Sequence, residues 1–370
     1  MTTSEYDSLR PPEPAGRGRH NGRHNARHRR RTGPGGAGGA DGSREMSMVP
    51  DAEFTSYYGR PVVKPAPWGH DIAAYLFLGG LAGGSALLAA GAQLTGQETL
   101  RRNCRLAAIS AVGIGAVALV RDLGRPERFL NMLRTIKLTS PMSLGSWILS
   151  AFSTGAGVAA AAEVDRITGE RLPLGPLRGV LRTVEGPAGL EAAAFAPLLA
   201  VYTAVLLGDT STPTWNAAHE ELPFVFVSSA SLASAGLAMV TTPVAEAAPA
   251  RRLAVLGVLG DVLATRIMHQ RMDPVAAEPL HDGRAGQMLR LSEALAVAGG
   301  IGTLIGGRRR GVAVAAGLAL VAASALTRFG IFDAGIASAK DPRSTIEPQK
   351  RRLAARRAAG VTDDSITTVG

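Results

Sequence analysis

Histidine and cysteine side chains could carry redox or metal chemistry in this chain, but their number and placement limit it. The sequence has seven His and a single Cys, Cys104. A membrane haem needs His side chains that face each other within apolar helices. Only His70 and His269, at the edges of apolar runs, leave haem ligation open. Because one Cys cannot hold an iron–sulfur cluster, we expect no haem, no iron–sulfur cluster and no metal site.

Three carboxylates, Glu191, Asp261 and Glu293, fall within runs of apolar residues. Charged groups are costly to bury in a membrane and are functional candidates there by default. We therefore consider these three residues as a candidate proton path through the helices. The alternative is that each carboxyl is neutral or paired within its helix and only fixes packing.

A fourth carboxylate, Asp122, lies at the end of an apolar run between Arg121 and Arg125. Gly124 and Pro126 are residues that end a helix at this point. Two interpretations remain open for Asp122. It forms an interfacial ion pair with the two arginines, or it accepts protons beside a redox site.

The elements that position these residues are strongly apolar. Charged residues make up 19% of the chain, below the quarter or so that is usual in soluble proteins. Eight continuous runs, rich in Ala, Gly and Leu, are long enough to cross a membrane as helices and lack the alternation of barrel strands. The predicted fold is an all-α, polytopic membrane protein with an eight-transmembrane-helix bundle. The predicted spans are 71–93, 104–121, 141–162, 187–208, 221–242, 251–268, 289–307 and 311–328.

Polar segments flank this bundle. We divide the chain into a basic, Gly-, Arg- and His-rich N-terminal tail at 1–69, a membrane domain at 70–330 and a C-terminal tail at 331–370. The tails hold much of the positive charge behind the net +10. Their composition is typical of disordered segments that lie on anionic lipid headgroups, and we expect no nucleic-acid partner.

The number of spans also constrains the topology in the plasma membrane. With eight spans, both termini lie on one side. The basic tails favour the cytoplasm for that side, whereas Arg-rich short loops on the opposite side favour the reverse orientation.

Five short motifs follow one another along the spans. They are Trp68-Gly69 with Tyr75-Leu76-Phe77-Leu78-Gly79-Gly80; Asp122-Leu123-Gly124-Arg125-Pro126; Thr139-Ser140-Pro141-Met142-Ser143 with Gly145-Ser146-Trp147; Pro213-Thr214-Trp215; and Arg328 with Ala334-Gly335-Ile336-Ala337-Ser338. In this order, and with eight spans, they resemble the NrfD family, which includes the membrane subunit of polysulfide reductase. The resemblance covers residues 60–345.

This resemblance implies a function. Members of the family hold no metal or haem and exchange electrons between a membrane quinone and an iron–sulfur partner. The chain would then be the membrane anchor and quinone-interacting subunit of a molybdopterin oxidoreductase complex. Menaquinone or ubiquinone is the expected substrate. The expected partners are a four-cluster ferredoxin-like iron–sulfur subunit, a molybdopterin catalytic subunit and membrane lipid.

The resemblance also implies roles for individual residues. Tyr75, Tyr202 and Arg125 are the expected quinone-binding residues, and Asp122 is the expected catalytic proton acceptor. Tyr75 stands where the polysulfide reductase subunit has a His, and Tyr also donates a hydrogen bond. Tyr202 lies near the second aromatic residue that contacts quinone in the family. The alternative for both Tyr is anchoring at the membrane interface.

Two other functions remain open at this point. An ion-coupled secondary transporter would use Asp261, Glu293 and Glu191 as coupling residues, although such transporters commonly show repeats and broken helices. A passive membrane anchor would have no quinone site at all.

Overall fold

The computed structural model describes residues 61–360. Every regular element in this part of the chain is a helix, and eight helices are long and apolar enough to cross a membrane, which confirms the predicted class. These eight are α1 (His70–Leu94), α2 (Glu98–Asp122), α3 (Pro141–Ile167), α4 (Leu177–Gly208), α6 (Leu222–Thr241), α7 (Ala248–Arg271), α9 (Gly283–Gly306) and α10 (Arg310–Lys340). The shorter helices are η1 (Pro126–Arg134), α5 (Pro213–Ala217), α8 (Pro274–His281) and α11 (Arg343–Ala358).

The eight spans pack as two groups of four. Helices α1 to α4 form one group, and α6, α7, α9 and α10 form the other. Helix α1 packs on α2 and α4 in its own group and on α6 and α10 in the other. Other helices bury 78% of the most apolar window of α1, but only 28% of that window in α7 and in α9. Helix α1 is therefore the core of the bundle, whereas α7 and α9 leave most of their surface open.

Small residues let α1 approach its neighbours closely. A methyl group added at Gly83 would lie 2.9 Å from the carbonyl oxygen of Ala196 in α4. One added at Gly84 would lie 2.2 Å from the hydroxyl oxygen of Ser234 in α6. Such contacts between backbones are the usual way in which helices associate in lipid. The two glycines therefore set how closely α1 lies to both groups.

Successive spans alternate in direction, so the bundle has two distinct ends. The start of α1, the end of α2, the start of α3 and the end of α4 lie at one end, which we call the Asp122 end. We call the opposite end the Arg105 end. Because the His70 Nε2 atom is 2.8 Å from the Asp333 Oδ1 atom, the last turns of α10 also lie at the Asp122 end.

Most spans extend beyond their predicted limits, and the differences are large in α2, α4 and α10. Helix α2 begins at Glu98, α4 begins at Leu177 and α10 continues to Lys340. The predicted boundary between a membrane domain and a C-terminal tail at residue 331 therefore falls inside α10. Ile331 and Ala334, just beyond it, are 2% and 0% exposed. The predicted limits follow the apolar runs, which end where charged residues begin. A helix, in contrast, continues as long as its backbone hydrogen bonds and side-chain contacts persist.

The basic C-terminal residues up to residue 358 also differ from the predicted disordered tail, because they form α11. Arg351 of α11 lies 3.1 Å from Asp273, and Arg343 lies 3.9 Å from Glu278 of α8. These contacts dock α11 beside α8. Most of the predicted N-terminal tail and residues 361–370 lie outside the described residues, and their disorder stays a prediction.

Buried charges join α1 to α4 at the Arg105 end. Arg105 of α2 is 4% exposed, and its Nη1 donates to Glu163 of α3 at 2.9 Å and to Glu185 of α4 at 3.0 Å. Its Nη2 donates to Gln93 of α1 at 2.6 Å. A second arginine, Arg101, donates to Glu163 at 2.9 Å. Each of the four helices thus contributes a side chain to one hydrogen-bonded network, which we call the Arg105 network.

The Arg105 network should contribute to the free energy of unfolding of this protein. Glu163 is 1% exposed, so Glu163→Gln leaves the buried Arg105 charge without its nearest carboxylate. Because Glu185 still pairs with Arg105 at 3.0 Å, we expect a loss of about 1–3 kcal/mol, the usual cost of removing one partner of a buried hydrogen bond. Thermal unfolding of the purified protein in detergent measures the change. The matched control is Glu170→Gln, because the Glu170 side chain is 58% exposed and should contribute about 0–1 kcal/mol. Equal melting temperatures for the two variants would contradict the role of the network.

The path of the chain predicts the membrane topology. A reporter that is active only in the cytoplasm, fused after residue 370, should give the opposite signal to one inserted near Arg308, between α9 and α10. The reason is that one span, α10, separates these two points. The same signal from both fusions would mean that α10 does not cross the membrane.

Candidate functional site

Two tyrosines meet inside the first group of helices, near the Asp122 end. Tyr75 lies in the second turn of α1, and Tyr202 lies in the last turns of α4. Their hydroxyl groups are hydrogen-bonded to each other. Tyr75 is 2% exposed and Tyr202 is partly buried. The structure thus brings together the two tyrosines that the sequence singled out as quinone-binding residues.

Two glycines hold the rings of this tyrosine pair. A methyl group at Gly145, one turn into α3, would lie 2.2 Å from the Cε2 atom of Tyr202. One at Gly115 of α2 would lie 3.4 Å from the Cδ2 atom of Tyr75. The Tyr202 ring therefore needs glycine at position 145, which belongs to the third motif of the sequence. All four helices of the first group contribute to the position of the pair.

The tyrosine pair has an unused donor. Each phenolic hydroxyl carries one proton and can also accept a hydrogen bond. Whichever tyrosine donates within the pair, the other keeps its proton. Neither hydroxyl forms a second hydrogen bond with a described residue. One hydroxyl proton of the pair therefore has no acceptor among the described residues.

Asp122 lies at the end of α2, close to the start of α1, and it forms no ion pair with Arg121 or Arg125 beside it in the sequence. Its Oδ1 accepts a hydrogen bond from the backbone N–H of Gly69, the N-cap residue of α1, at 2.9 Å. Within the described residues no ion pair joins it to Arg121 or Arg125. A carboxylate at the start of a helix satisfies a free N–H and interacts favourably with the helix dipole. Of the two interpretations that the sequence left open for Asp122, the ion pair is not seen among the described residues, where Asp122 caps α1; its role as a proton acceptor stays a prediction.

Arg125, the third predicted quinone-binding residue, lies apart from the tyrosine pair. It is the exposed N-cap residue of η1 and forms no hydrogen bond or ion pair with another described residue. Gly69, which binds Asp122, and Tyr75 of the tyrosine pair are about 9 Å apart along α1, at a rise of 1.5 Å per residue. The structure joins Asp122 to α1 and Tyr75 to Tyr202, but no contact links Arg125 to either.

Two more motifs meet beside Gly69. The ring of Trp68 stacks on the ring of Trp215 with their centroids 6.0 Å apart. The Nε1 of Trp215 donates to the carbonyl oxygen of Ile331 at 2.8 Å. A methyl group at Gly335 would lie 2.0 Å from that same Nε1 atom, so the indole packs directly on the backbone of α10. Residues from the first, fourth and fifth motifs thus lock α1 and α5 to the end of α10.

The third motif begins α3 as the sequence predicted. The Ser140 hydroxyl accepts a hydrogen bond from the backbone N–H of Ser143, and Pro141 occupies the first turn, which is favourable at a helix start. The Nε1 of Trp147 donates to the carbonyl oxygen of Thr135 at 3.4 Å. This motif ties η1 to the start of α3, one turn before the glycine that faces Tyr202.

The sequence analysis missed a histidine–carboxylate pair at this end. The half-exposed His70 follows Gly69 directly, and its Nε2 lies 2.8 Å from Asp333 in α10. Its ring stacks on Phe329, with centroids 6.0 Å apart. The sequence indicated only possible haem ligation for His70, and Asp333 lies in the predicted C-terminal tail at 331–370. A histidine ring can both donate and accept a proton, so this pair is a second group that could exchange protons at the Asp122 end.

The three carboxylates of the candidate proton path are not joined to one another. The Glu191 carboxyl in α4 lies against Gly155 of α3 and is partly buried. Asp261 of α7 is 6% exposed and has one buried oxygen without a hydrogen-bond partner. Glu293 of α9 is exposed on the outer face of the bundle. They lie on three different helices, and no hydrogen bond connects any two of them.

Arg328, from the last motif, is fully buried between the two groups of helices. Its guanidinium carbon lies 3.6 Å from the centroid of the Phe226 ring, and its Nη2 donates to the Phe226 carbonyl oxygen. A methyl group at Gly80 of α1 would lie 3.1 Å from that nitrogen. Cation–π contacts of this kind stabilise a desolvated guanidinium by about 2 kcal/mol. Arg328 therefore links α10, α6 and α1.

Among the described residues, no group of three or more His, Cys, Asp or Glu side chains could hold a metal ion. Cys104 is buried and free, while the rings of His269 and His281 are in contact, with centroids 4.6 Å apart. The predicted lack of haem and clusters stays a prediction for the complete protein.

The comparison with known families agrees with the geometry of the first helices. The family model described as Polysulphide reductase, NrfD matches residues 62–269, which is more than half of the 370-residue chain. A comparison with curated proteins gives no match for this chain. The matched range contains Tyr75, Asp122 and Tyr202, and it ends before α9 and α10. This chain, a multi-pass membrane protein, belongs to the NrfD family.

Proposed function

We propose that this chain is the quinone-interacting subunit of a molybdopterin oxidoreductase complex. Its family provides membrane subunits of molybdoenzyme complexes, so a role as membrane anchor follows from membership. The quinone site itself is our inference. The observation that carries it is the buried tyrosine pair, which offers one unused hydroxyl proton inside the membrane.

The chemistry of a quinone fits this donor. Reducing a quinone adds two electrons and two protons, and its oxygens become stronger hydrogen-bond acceptors as the electrons arrive. A phenolic hydroxyl donates to such an oxygen without carrying a charge, which avoids the cost of an ion in the membrane. Tyr75 and Tyr202 would orient the quinone ring, because one hydroxyl donates to the other and the second keeps its proton for the quinone. The direction of electron flow does not alter these roles.

Protons must also move between this site and water. Only one oxygen of Asp122 is used to cap α1, and the other has no partner among the described residues. That oxygen can accept a proton at the mouth of the four helices. The pair formed by His70 and Asp333 lies beside it, on the residue that follows Gly69. We propose that Asp122 is the first acceptor and that the histidine pair passes the proton on to water.

The partners proposed here are an iron–sulfur subunit of the four-cluster, ferredoxin-like type and a molybdopterin catalytic subunit. The surface at the Asp122 end suits such a docking partner because it is basic and exposed. Arg121, Arg125 and Lys137 lie on it around η1. An acidic protein surface would be attracted to these charges and guided to the side on which the quinone site lies.

The tyrosine pair makes a prediction about turnover. Tyr202→Phe keeps the ring against Gly145 and removes one hydroxyl, so the remaining hydroxyl loses its orienting partner. We expect quinone turnover by the assembled complex to fall by about 10²-fold, the lower range for loss of a positioned proton donor. Tyr75→Phe should have a similar effect. Turnover is measured with a soluble quinol analogue.

The matched control is Thr203→Val, which removes a hydroxyl from the neighbouring residue of α4. That hydroxyl is bonded only to Ala200 in its own helix, so turnover should stay close to wild type. If both Tyr→Phe complexes turned over like the control, the tyrosine pair would only anchor helices, and the passive-anchor alternative would be favoured.

Asp122 is tested separately. Asp122→Asn keeps an oxygen that can accept from the Gly69 N–H, because Asn and Asp are equivalent caps, but it removes the base. We expect normal assembly with the iron–sulfur subunit and a loss of turnover of about 10²-fold. Asp122→Ala, which also removes the cap, should in addition lower assembly. A normally assembled Asp122→Asn complex with wild-type turnover would leave Asp122 with a capping role alone.

A further inference from the structure

Five arginines lie together at the Arg105 end of the second group of helices. Two belong to the first two turns of α7 and three to the turn that leads from α9 into α10; they are Arg251, Arg252, Arg308, Arg309 and Arg310. A methyl group added at Gly307 would lie 2.8 Å from the Cδ atom of Arg251, so this turn packs against the start of α7. We call these five residues the arginine cluster.

The hydrogen bonds of the arginine cluster leave its charge unbalanced. Arg251 donates to the carbonyl oxygen of Val244 at 2.9 Å, and Arg310 donates to carbonyl oxygens at the end of α6. The other three members, Arg252, Arg308 and Arg309, are exposed and form no hydrogen bond or ion pair with a described residue. Over residues 61–360, no carboxylate therefore pairs with any member of the cluster.

The arginines at the same end of the first group are different, because carboxylates neutralise them. Arg105 pairs with Glu163 and Glu185, and Arg178 pairs with the buried Asp165 at 3.1 Å. Both α7 and α10 begin at the arginine cluster, so their helix dipoles add to its positive charge and do not offset it. The cluster is therefore suited to an anion that its own part of the chain does not supply.

An apolar stripe continues from this cluster along α7. Arg252, Leu256, Leu259 and Leu263 follow one another at spacings of four, three and four residues, which places them on one face of a helix. The three leucines are 66%, 63% and 61% exposed. From Arg252 to Leu263 the stripe is about 16 Å long, which is close to half of a hydrocarbon core of about 30 Å. A cation at the membrane surface thus leads into an exposed apolar stripe that reaches the middle of the membrane.

We infer that the arginine cluster and the leucine stripe of α7 bind an anionic phospholipid. Its phosphate accepts hydrogen bonds from Arg252 and from the neighbouring Arg308 and Arg309, since guanidinium groups match phosphate in charge and geometry. One acyl chain lies along Leu256, Leu259 and Leu263. An acidic protein surface would match the charges, but it would leave the leucines below them uncovered. The inference does not depend on the quinone site, which lies near the other end of the other group of helices.

A lipid titration tests the headgroup contact. The full-length chain, purified in a neutral detergent, is titrated with phosphatidylglycerol or phosphatidylcholine, and the bound lipid is counted by native mass spectrometry. We expect one phosphatidylglycerol to bind more tightly than phosphatidylcholine. Arg252→Gln should weaken that binding about fivefold, as expected for one arginine near an anionic membrane surface, and Arg308→Gln added to it should weaken the binding further. Arg252→Lys, which keeps the charge, should retain most of the affinity, which a misfolded chain could not do.

The matched control is Arg171→Gln. Arg171 is also exposed and without a partner among the described residues, and it lies at the same end, between α3 and α4. This variant removes the same charge outside the cluster, so its affinity for phosphatidylglycerol should equal that of the wild type.

A headgroup without acyl chains tests the leucine stripe. Glycerol phosphate at the same concentration should not displace the bound phosphatidylglycerol, because it cannot contact the leucines. Three results would overturn the inference: equal affinity for the two lipids, equal losses in Arg252→Gln and Arg171→Gln, or displacement by glycerol phosphate. The first result is the one expected if the arginine cluster serves an acidic protein.

Discussion

A charge inside a membrane must find its partner within the protein, and the Arg105 network shows how strongly this constrains the bundle. The guanidinium of Arg105 is held by two carboxylates and an amide from three other helices. Neither α1, α2, α3 nor α4 can rotate or shift without leaving one of these groups unpaired. A second cluster stands beside it, where the fully buried Asp165 accepts from Arg178 and Arg182 at 3.1 Å each. The Arg105 end is therefore the fixed end of the first four helices.

The arrangement of these helices at the Asp122 end depends on the contacts at the Arg105 end. Once the helices are held at the Arg105 end, their glycine-rich faces determine how far apart they lie at the Asp122 end. Gly145 and Gly115 then set the space for the two tyrosine rings, and Asp122 closes the start of α1. The tyrosine pair is uncharged, which matters because a charged donor would need a counter-ion of its own inside the membrane. The Arg105 network thus lies at one end of these four helices, and the uncharged tyrosine pair lies near the other end.

The second group of helices supports the first through the last turns of α10. Arg328 lies over Phe226 and against α1, while Trp215 packs on Gly335. The first contact holds α10 against Gly80 of α1, and the second brings the end of α10 to Trp215, which stacks on Trp68 beside Gly69. The outer helices α7 and α9 contribute little to this core. Most of the surface of these two helices stays exposed, and it includes Glu293.

Much of this protein follows from its sequence alone. The length of the apolar runs determined eight spans and a helical class, because a backbone in lipid must satisfy its own hydrogen bonds. The motifs indicated the family, and the roles that the resemblance implies for Tyr75, Tyr202 and Asp122 stay predictions. Contacts between distant segments were decided only by the tertiary structure. Hydropathy places Glu163 and Arg105 at the ends of spans, because it contains no information about contacts between helices. The structure shows that these two charges pair across α2 and α3. In the same way, the partner of Asp122 is a backbone N–H from another helix, and not the arginines beside it in the sequence.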